Sequence, residues 1–281
     1  MNEKGESGMA ARTISCFTAG ERLMMREPLL HVDKLSVVPP GAAAPACSDI
    51  SFTLNCGERV ALIGPSGAGK TTLLRAINGS MPAQSGEVVV DGERLNVADR
   101  RQLRAFRRQL AIIPQKHDLV EALRVYHNVM AGALGRWSDL HALRFLFWPL
   151  PSELEEARQV LARVDLADKL RAGARALSGG QQQRVAIARA LTQKPLLILA
   201  DEPVASLDPR MAHQVLELLC RVAEDDGVAL LCTLHQPELA AQYFPRVLEM
   251  NAGRLVGDRG LNPDRAPRER PEVGEPRAVR A

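Results

Sequence analysis

Residues 64–72 read GPSGAGKTT, directly after the apolar run RVALI and directly before the helical stretch KTTLLRAING. A glycine-rich turn between a strand and a helix puts the helix N-terminus, with its unpaired amides, at the carboxyl end of the strand, where anions bind. On ordinary residue usage the pattern G-x-x-x-x-G-K-[ST] arises by chance on the order of a few times in 10⁵ starting positions. A mere glycine turn would need neither the lysine nor the threonine. Gly64, Gly67 and Gly69 let the backbone turn so that the loop, completed by Pro65, Ser66 and Ala68, wraps the phosphates of a nucleotide. Lys70 brings a positive charge to the β- and γ-phosphates, Thr71 offers a hydroxyl to Mg²⁺, and Thr72 continues into the helix.

The second half of such a site needs acids. In LLILADEP, residues 196–203, an apolar strand leads to Asp201, whose carboxylate can hold the metal through its water shell. Glu202 follows at the strand's end, placed to orient and deprotonate an attacking water. Two adjacent acids can also be a plain helix-start signal, but the upstream phosphate loop favours the catalytic reading. Two further apolar runs end in polar groups, QLAIIPQ in Gln115 and VALLCTLH in His235. Either could be a hydrogen-bonded residue at a sheet edge. Ligands in open α/β sheets sit at the carboxyl ends of strands, however. Four strands bring Lys70 with Thr71, Gln115, Asp201 with Glu202, and His235 to that edge.

Near-continuous apolar strands between helices predict a parallel sheet covered on both faces. GEVVVDGE, residues 86–93, reads as an edge hairpin strand. Residues 118–175 break the rhythm with helical periodicity and predict an inserted helical subdomain, extending to about residue 190. Residues 1–27 lack periodicity, and residues 258–281 are rich in proline, arginine and glutamate, so both are expected to be disordered. Met24 and Met25 stand where translation could begin.

The chain has 281 residues, 46% of them hydrophobic, enough to bury a full core. A net charge of +3 with 4% aromatic residues provides neither the basic footprint nor the stacking platforms of a nucleic-acid partner. No run approaches about eighteen uninterrupted apolar residues, and the N-terminus lacks the apolar core of a signal peptide, so the chain reads as soluble. Cys16, Cys47, Cys56, Cys220 and Cys232 show no CxxC spacing and read as small hydrophobes in a reducing compartment.

LSGGQQQRVAIARAL, residues 177–191, opens with glycines directly in front of an amphipathic helix. Ser178 can be its N-cap with Gln181 closing a capping box, or the exposed amides can bind phosphate. The two readings are compatible, because the cap aims the helix dipole. Pro195 ends the helix.

These motifs together resemble the ATP-binding cassette family of ATPases, over residues 29–257. GPSGAGKTT is similar to its Walker A motif, LLILADE to Walker B, Gln115 to the Q-loop, residues 206–208 to the D-loop with Asp208, and His235 to the switch histidine. LSGGQ is similar to the family signature, which other P-loop enzymes lack. The resemblance implies an α/β P-loop core over residues 28–257 with an inserted helical subdomain and an antiparallel β subdomain. It implies hydrolysis of ATP with Mg²⁺, with the Q-loop residue Gln115 a candidate for both catalysis and the metal shell, and a head-to-tail pairing of two cassettes. Ser178, Gly179, Gly180 and Gln181 of one copy would then face the nucleotide held by the other. It further implies two membrane permease subunits, a periplasmic solute-binding protein and a peripheral position on the cytoplasmic face of the inner membrane.

The inserted stretch GALGRWSDLHALRFLFWPLPSELEE, residues 132–156, carries Trp137, Phe145, Phe147 and Trp148. These either form an exposed patch that docks a short helix of a membrane subunit or fill the core of the helical subdomain. Within the family, GALGR, LADEPVASLDP and LHQPELA resemble the subgroup that powers phosphonate importers. Alternatives are an importer of another solute, such as phosphate or an amino acid, and a soluble cassette acting in DNA repair or on the ribosome. A regulatory cassette without turnover is disfavoured by the intact Glu202 and His235. The family commonly stacks adenine on an aromatic of the first strand, and the matching position here is Pro39.

Overall fold

The computed structural model describes residues 27–115 and 118–261. The first three strands are β1 (Leu30–Val37), β2 (Cys47–Leu54) and β3 (Arg59–Ile63), and the phosphate loop leads from β3 into α1 (Lys70–Ile77). Next come β4 (Ser85–Val90), β5 (Glu93–Arg94), α2 (Arg100–Arg108) and β6 (Leu110–Ile113). A helical stretch follows, with α3 (Val125–Met130), α4 (Asp139–Phe147), α5 (Pro151–Arg163) and α6 (Gly179–Thr192). The chain returns to the sheet with β7 (Leu197–Ala200), α7 (Pro209–Asp225), β8 (Ala229–Leu234), α8 (Pro237–Tyr243), β9 (Arg246–Asn251) and β10 (Arg254–Gly260).

Among the described residues the strands form two sheets. One has the order β2-β1-β4-β5, and the other β10-β9-β3-β8-β7-β6. The smaller is antiparallel throughout, whereas β9, β3, β8, β7 and β6 run parallel. Alternation along each central strand divides two cores. Val60, Leu62, Leu199 and Leu231 face the antiparallel sheet and α1. Ala61, Ile63, Ala200 and Cys232 face a second core shared with α3, α5, α6 and α7. Burial on both sides is why these strands read as unbroken apolar runs.

Two expectations need correction. GEVVVDGE is not an edge strand: β4 lies between β1 and β5, and its edge position goes to the two-residue β5. The disordered tail does not begin at residue 258, because Asp258, Arg259 and Gly260 continue β10, opposite Leu248, Val247 and Arg246 of β9. Arg246 holds Asp258 through two bonds of 2.8 and 2.7 Å, and Arg259 reaches Glu249 at 2.6 Å. A polar, proline-rich composition is silent about such cross-strand partners. The expectations for residues 1–26 and 262–281, the translation start and Cys16 among them, lie outside the described residues.

In the helical stretch, α4 and α5 are joined by a polar clamp. The Glu153 carboxylate accepts from the Leu150 amide at 2.7 Å and from Arg144, and His141 Nε2 lies 2.6 Å from it. Burial works to raise the Glu153 pKa, but Arg144, the Leu150 amide and His141 together hold it below the ordinary carboxylate value. Phe145 is buried in the core, and the partly buried Trp137 packs against that core and stacks on His141 at 4.3 Å. Phe147 and Trp148 are 62% and 74% exposed, with Leu140 and Leu143 beside them on the outer face of α4. The aromatic stretch thus divides between core and surface.

Candidate active site

The phosphate loop owes its shape to neighbouring backbone. A Cβ on Gly64, at φ +153°, would lie 2.2 Å from the Met250 carbonyl, and one on Gly69, at φ +101°, 2.2 Å from the Ala46 carbonyl. The loop therefore passes too close to β9 and to the start of β2 for any side chain at these two positions. Ala68 is buried beneath, and Pro65, Ser66 and Gly67 are exposed at the crest. The Lys70 side chain is only 4% exposed. Its ammonium donates to the Gly64 and Pro65 carbonyls at 2.9 and 3.2 Å, so a buried charge is solvated by the loop it spans. Thr71 and Thr72 follow, half-buried in the first turn of α1.

Just past the end of β7, the Asp201 amide still donates to the Ile113 carbonyl of β6 at 2.8 Å. Its Oδ1 accepts from Thr71 at 3.0 Å and from Thr233 at 3.1 Å. At Glu202 the chain turns out of the strand with φ +48°. Three groups converge on the Glu202 carboxylate. Gln115 donates to Oε2 at 3.2 Å, the Lys70 ammonium lies 3.8 Å from Oε1, and His235 Nε2 lies 2.5 Å from Oε1. The sheet order β3-β8-β7-β6 is what brings these strand ends together. Of the three metal candidates, Thr71 and Asp201 touch each other directly, and Gln115 engages Glu202 through Nε2, which leaves its carbonyl oxygen uncommitted by that bond.

The oxygens of Thr71 and Asp201 are hard donors, one hydroxyl and one carboxylate. That set suits Mg²⁺, which keeps several waters and shares its shell with phosphates rather than needing a protein cage.

Ser178 caps α6, its hydroxyl accepting from the Gln181 amide at 3.4 Å while Gln181 Oε1 accepts from the Ser178 amide at 3.0 Å. Gly180 packs on α7, where a Cβ would lie 1.9 Å from the Met211 methyl, and Gly179 approaches Leu207. Asp208 caps α7 by accepting from the Met211 amide at 3.1 Å. Met211 of α7 thus neighbours Gly180 through its side chain and Asp208 through its amide, and these contacts lie in this region rather than in the 64–72 loop. Pro39 lies past the end of β1, its carbonyl accepting from Ala42 at 3.0 Å. Thr233 was not singled out from the sequence. The one signal was a lone hydroxyl in the apolar strand ALLCTL, on the face otherwise filled by Ala229 and Leu231.

Burial pushes the thiols of Cys47 and Cys220 up to about 11 and 12, and that of Cys232 well above its ordinary value. Those three behave as the inert hydrophobes expected, whereas Cys56 is exposed.

Comparison with known proteins places this geometry among relatives. The ABC transporter family model matches residues 47–205. The phosphonates import ATP-binding protein PhnC of Thiobacillus denitrificans is 45% identical over 213 residues, covering 76% of this chain and 80% of that protein. The protein of the same name from Nocardia farcinica is 44% identical over 242 residues, covering 85% and 88%. Among solved structures, cbiO1 from Clostridium perfringens, part of the ABC transporter complex cbiONQ, superposes with a TM-score of 0.72 at 26% identity, covering 84% of this chain and 89% of that one. The dimeric post-hydrolysis state of the ATP-binding cassette MJ0796, bound to ADP and Pi, superposes with a TM-score of 0.69 at 27% identity, covering 83% and 99%.

Proposed function

The chain belongs to the ABC transporter family of ATP-binding cassettes, and from that premise we propose that it is the ATP-hydrolysing subunit of a phosphonate importer. The convergence of Lys70, Gln115 and His235 on the Glu202 carboxylate carries the catalytic part of this reading. The extent of similarity to the PhnC proteins supports the choice of cargo.

The triphosphate of ATP lies along the 64–72 loop, with the Lys70 ammonium against its β- and γ-phosphates. Thr71 and Asp201, with Gln115 as a further candidate, would hold Mg²⁺, which would supply positive charge against the charge developing on the transferred group. Glu202 orients a water and takes its proton as the oxygen attacks the γ-phosphorus and the bond to the β-bridging oxygen breaks, leaving ADP and phosphate. His235 and Gln115 hold the Glu202 carboxylate and sense the γ-phosphate. Ser178, Gly179, Gly180 and Gln181 at the N-terminus of α6 supply donors to the γ-phosphate held by a second copy, so each active site needs both chains. Asp208 sits at the contact between the copies.

Among the described residues no helix is long and apolar enough to cross a membrane. In this reading solute passage belongs to separate permease subunits, fed by a solute-binding protein, with this subunit at the cytoplasmic face of the inner membrane. A groove beside Gln115, bordered by Ile112, Pro114, Asp118, Gly132 and Arg189, suits a short helix of such a permease. Gln115 would then link nucleotide to permease.

The test is uptake of a labelled alkylphosphonate by cells whose own copy carries Glu202→Gln, with phosphate uptake as control. Selective loss of phosphonate uptake is expected. Normal uptake of both solutes would remove phosphonate as the cargo.

A further inference from the structure

Outside the groups assigned above, one buried polar side chain touches both acids of the site. Thr233 is fully buried on β8. Its hydroxyl lies 3.1 Å from Asp201 Oδ1 and accepts from the Glu202 amide at 2.8 Å. The Ala200 carbonyl is farther, at 3.5 Å, so the single hydroxyl proton goes to the nearer and charged Asp201 oxygen. We infer that Thr233 is a positioning residue for hydrolysis, setting the Asp201 carboxylate directly and the Glu202 side chain through its backbone amide. This rests on the roles proposed above for the two acids.

The strand geometry explains why a side chain does this work. β7 and β8 pair in parallel up to Ala200 opposite Cys232. The next amide, that of Asp201, goes to β6 at Ile113. At Glu202 the chain leaves the sheet, and the Thr233 hydroxyl takes the place of a ladder carbonyl. Glu202 is held there at φ +48°, a conformation that non-glycine residues keep only where the surroundings impose it. With one proton given and one accepted, the hydroxyl is satisfied, and its direction is set by both acids at once. Asp201 Oδ1 is therefore gripped from two elements, Thr71 of α1 and Thr233 of β8. Loss of the Thr233 half would free the carboxylate to rotate and would release the Glu202 backbone.

The experiment compares Thr233→Val, Thr233→Ser and Thr233→Ala in the full chain. It reads kcat and KM for ATP, the Mg²⁺ concentration giving half-maximal rate, the equilibrium affinity for ATP and Tm. Valine keeps the branched shape and removes the hydroxyl, whereas serine keeps the hydroxyl. Supporting groups of this kind contribute about 10- to 100-fold. Thr233→Val should lose that much kcat with its ATP affinity retained and its Mg²⁺ requirement raised, and Thr233→Ser should recover most of the rate. Wild-type kcat in Thr233→Val, or equal losses in the valine and serine variants, would overturn the inference. If the valine variant does not fold, serine against alanine decides it: a rate at least tenfold higher for serine supports the role, and equal rates refute it. Failure of the underlying reading looks different, because Asp201→Asn and Glu202→Gln would then both hydrolyse ATP normally.

Discussion

Replacing Glu202 by glutamine removes one negative charge and leaves the shape of the side chain almost unchanged. The side chain is 11% exposed, so water screens it poorly. A positioned general base contributes about 10²- to 10⁴-fold, equivalent to about 2.7–5.4 kcal/mol at 1.36 kcal/mol per decade. Turnover should fall by that factor. Ground-state binding should move the other way. A γ-phosphate lodged against the Lys70 ammonium, which is 3.8 Å from Glu202, would face the Glu202 charge at close range. Two unit charges about 5 Å apart, at an effective dielectric constant of about 20, repel by about 3 kcal/mol. Removing that repulsion should tighten ATP binding and favour the nucleotide-closed pair. Steady-state ATPase rates, equilibrium ATP binding and sizing with and without MgATP read all three effects. Wild-type turnover in the variant would refute the base assignment. Slow turnover together with weaker ATP binding would show that Glu202 acts by holding the site's structure rather than by taking a proton.

Other positions are open to equally direct tests. Ser178→Arg should leave ATP binding by the single chain intact but abolish MgATP-dependent pairing and turnover, and normal turnover would end the role assigned to the signature helix in a second copy. Gly69→Ala would push a methyl to within 2.2 Å of the Ala46 carbonyl, whereas Gly67→Ala meets open space. The first should lower Tm and lose ATP affinity far more than the second, and equal effects would show that close approach is not what selects glycine there. The Asp258 carboxyl is held below its ordinary value, chiefly by its hydrogen bonds from Arg246. A depressed carboxylate contributes stability that is present above its unfolded pKa of about 3.9 and is lost as pH falls through the folded value. Hydrogen-exchange protection of the β10 amides should therefore persist at neutral pH and decline below that range, and unchanged protection in acid would count against the Arg246–Asp258 anchor.

Much of the site was legible in the chain because its parts are local. Spacing within GPSGAGKTT specifies a turn and a helix start, and Ser178 with Gln181 specifies a cap. An apolar run ending in Asp201 and Glu202 specifies a buried strand with acids at its exit. Each of these depends on residues only a few positions apart, where backbone geometry leaves few choices. The alternation that sends Ala61 to one core and Leu62 to the other is equally a property of the strand itself.

What local pattern could not convey is which distant residues meet. Thr71 and Asp201 are 130 positions apart and touch because β3 and β7 flank β8 in the sheet. Thr233 gave no motif, since one hydroxyl in an apolar strand matters only when the neighbouring strand ends beside it. The aromatic stretch was ambiguous for the same reason. Phe145 and Phe147 lie two positions apart on α4, and only packing against α3 and α5 decides that one is buried and the other exposed. The polar segment at Asp258 becomes a strand because Arg246 and Leu248 of β9 are there to receive it. The sequence by itself determined the chemical inventory and its local geometry, through short-range backbone and hydrogen-bond constraints. The tertiary structure decided the pairings, because they depend on strand order and burial across the whole chain.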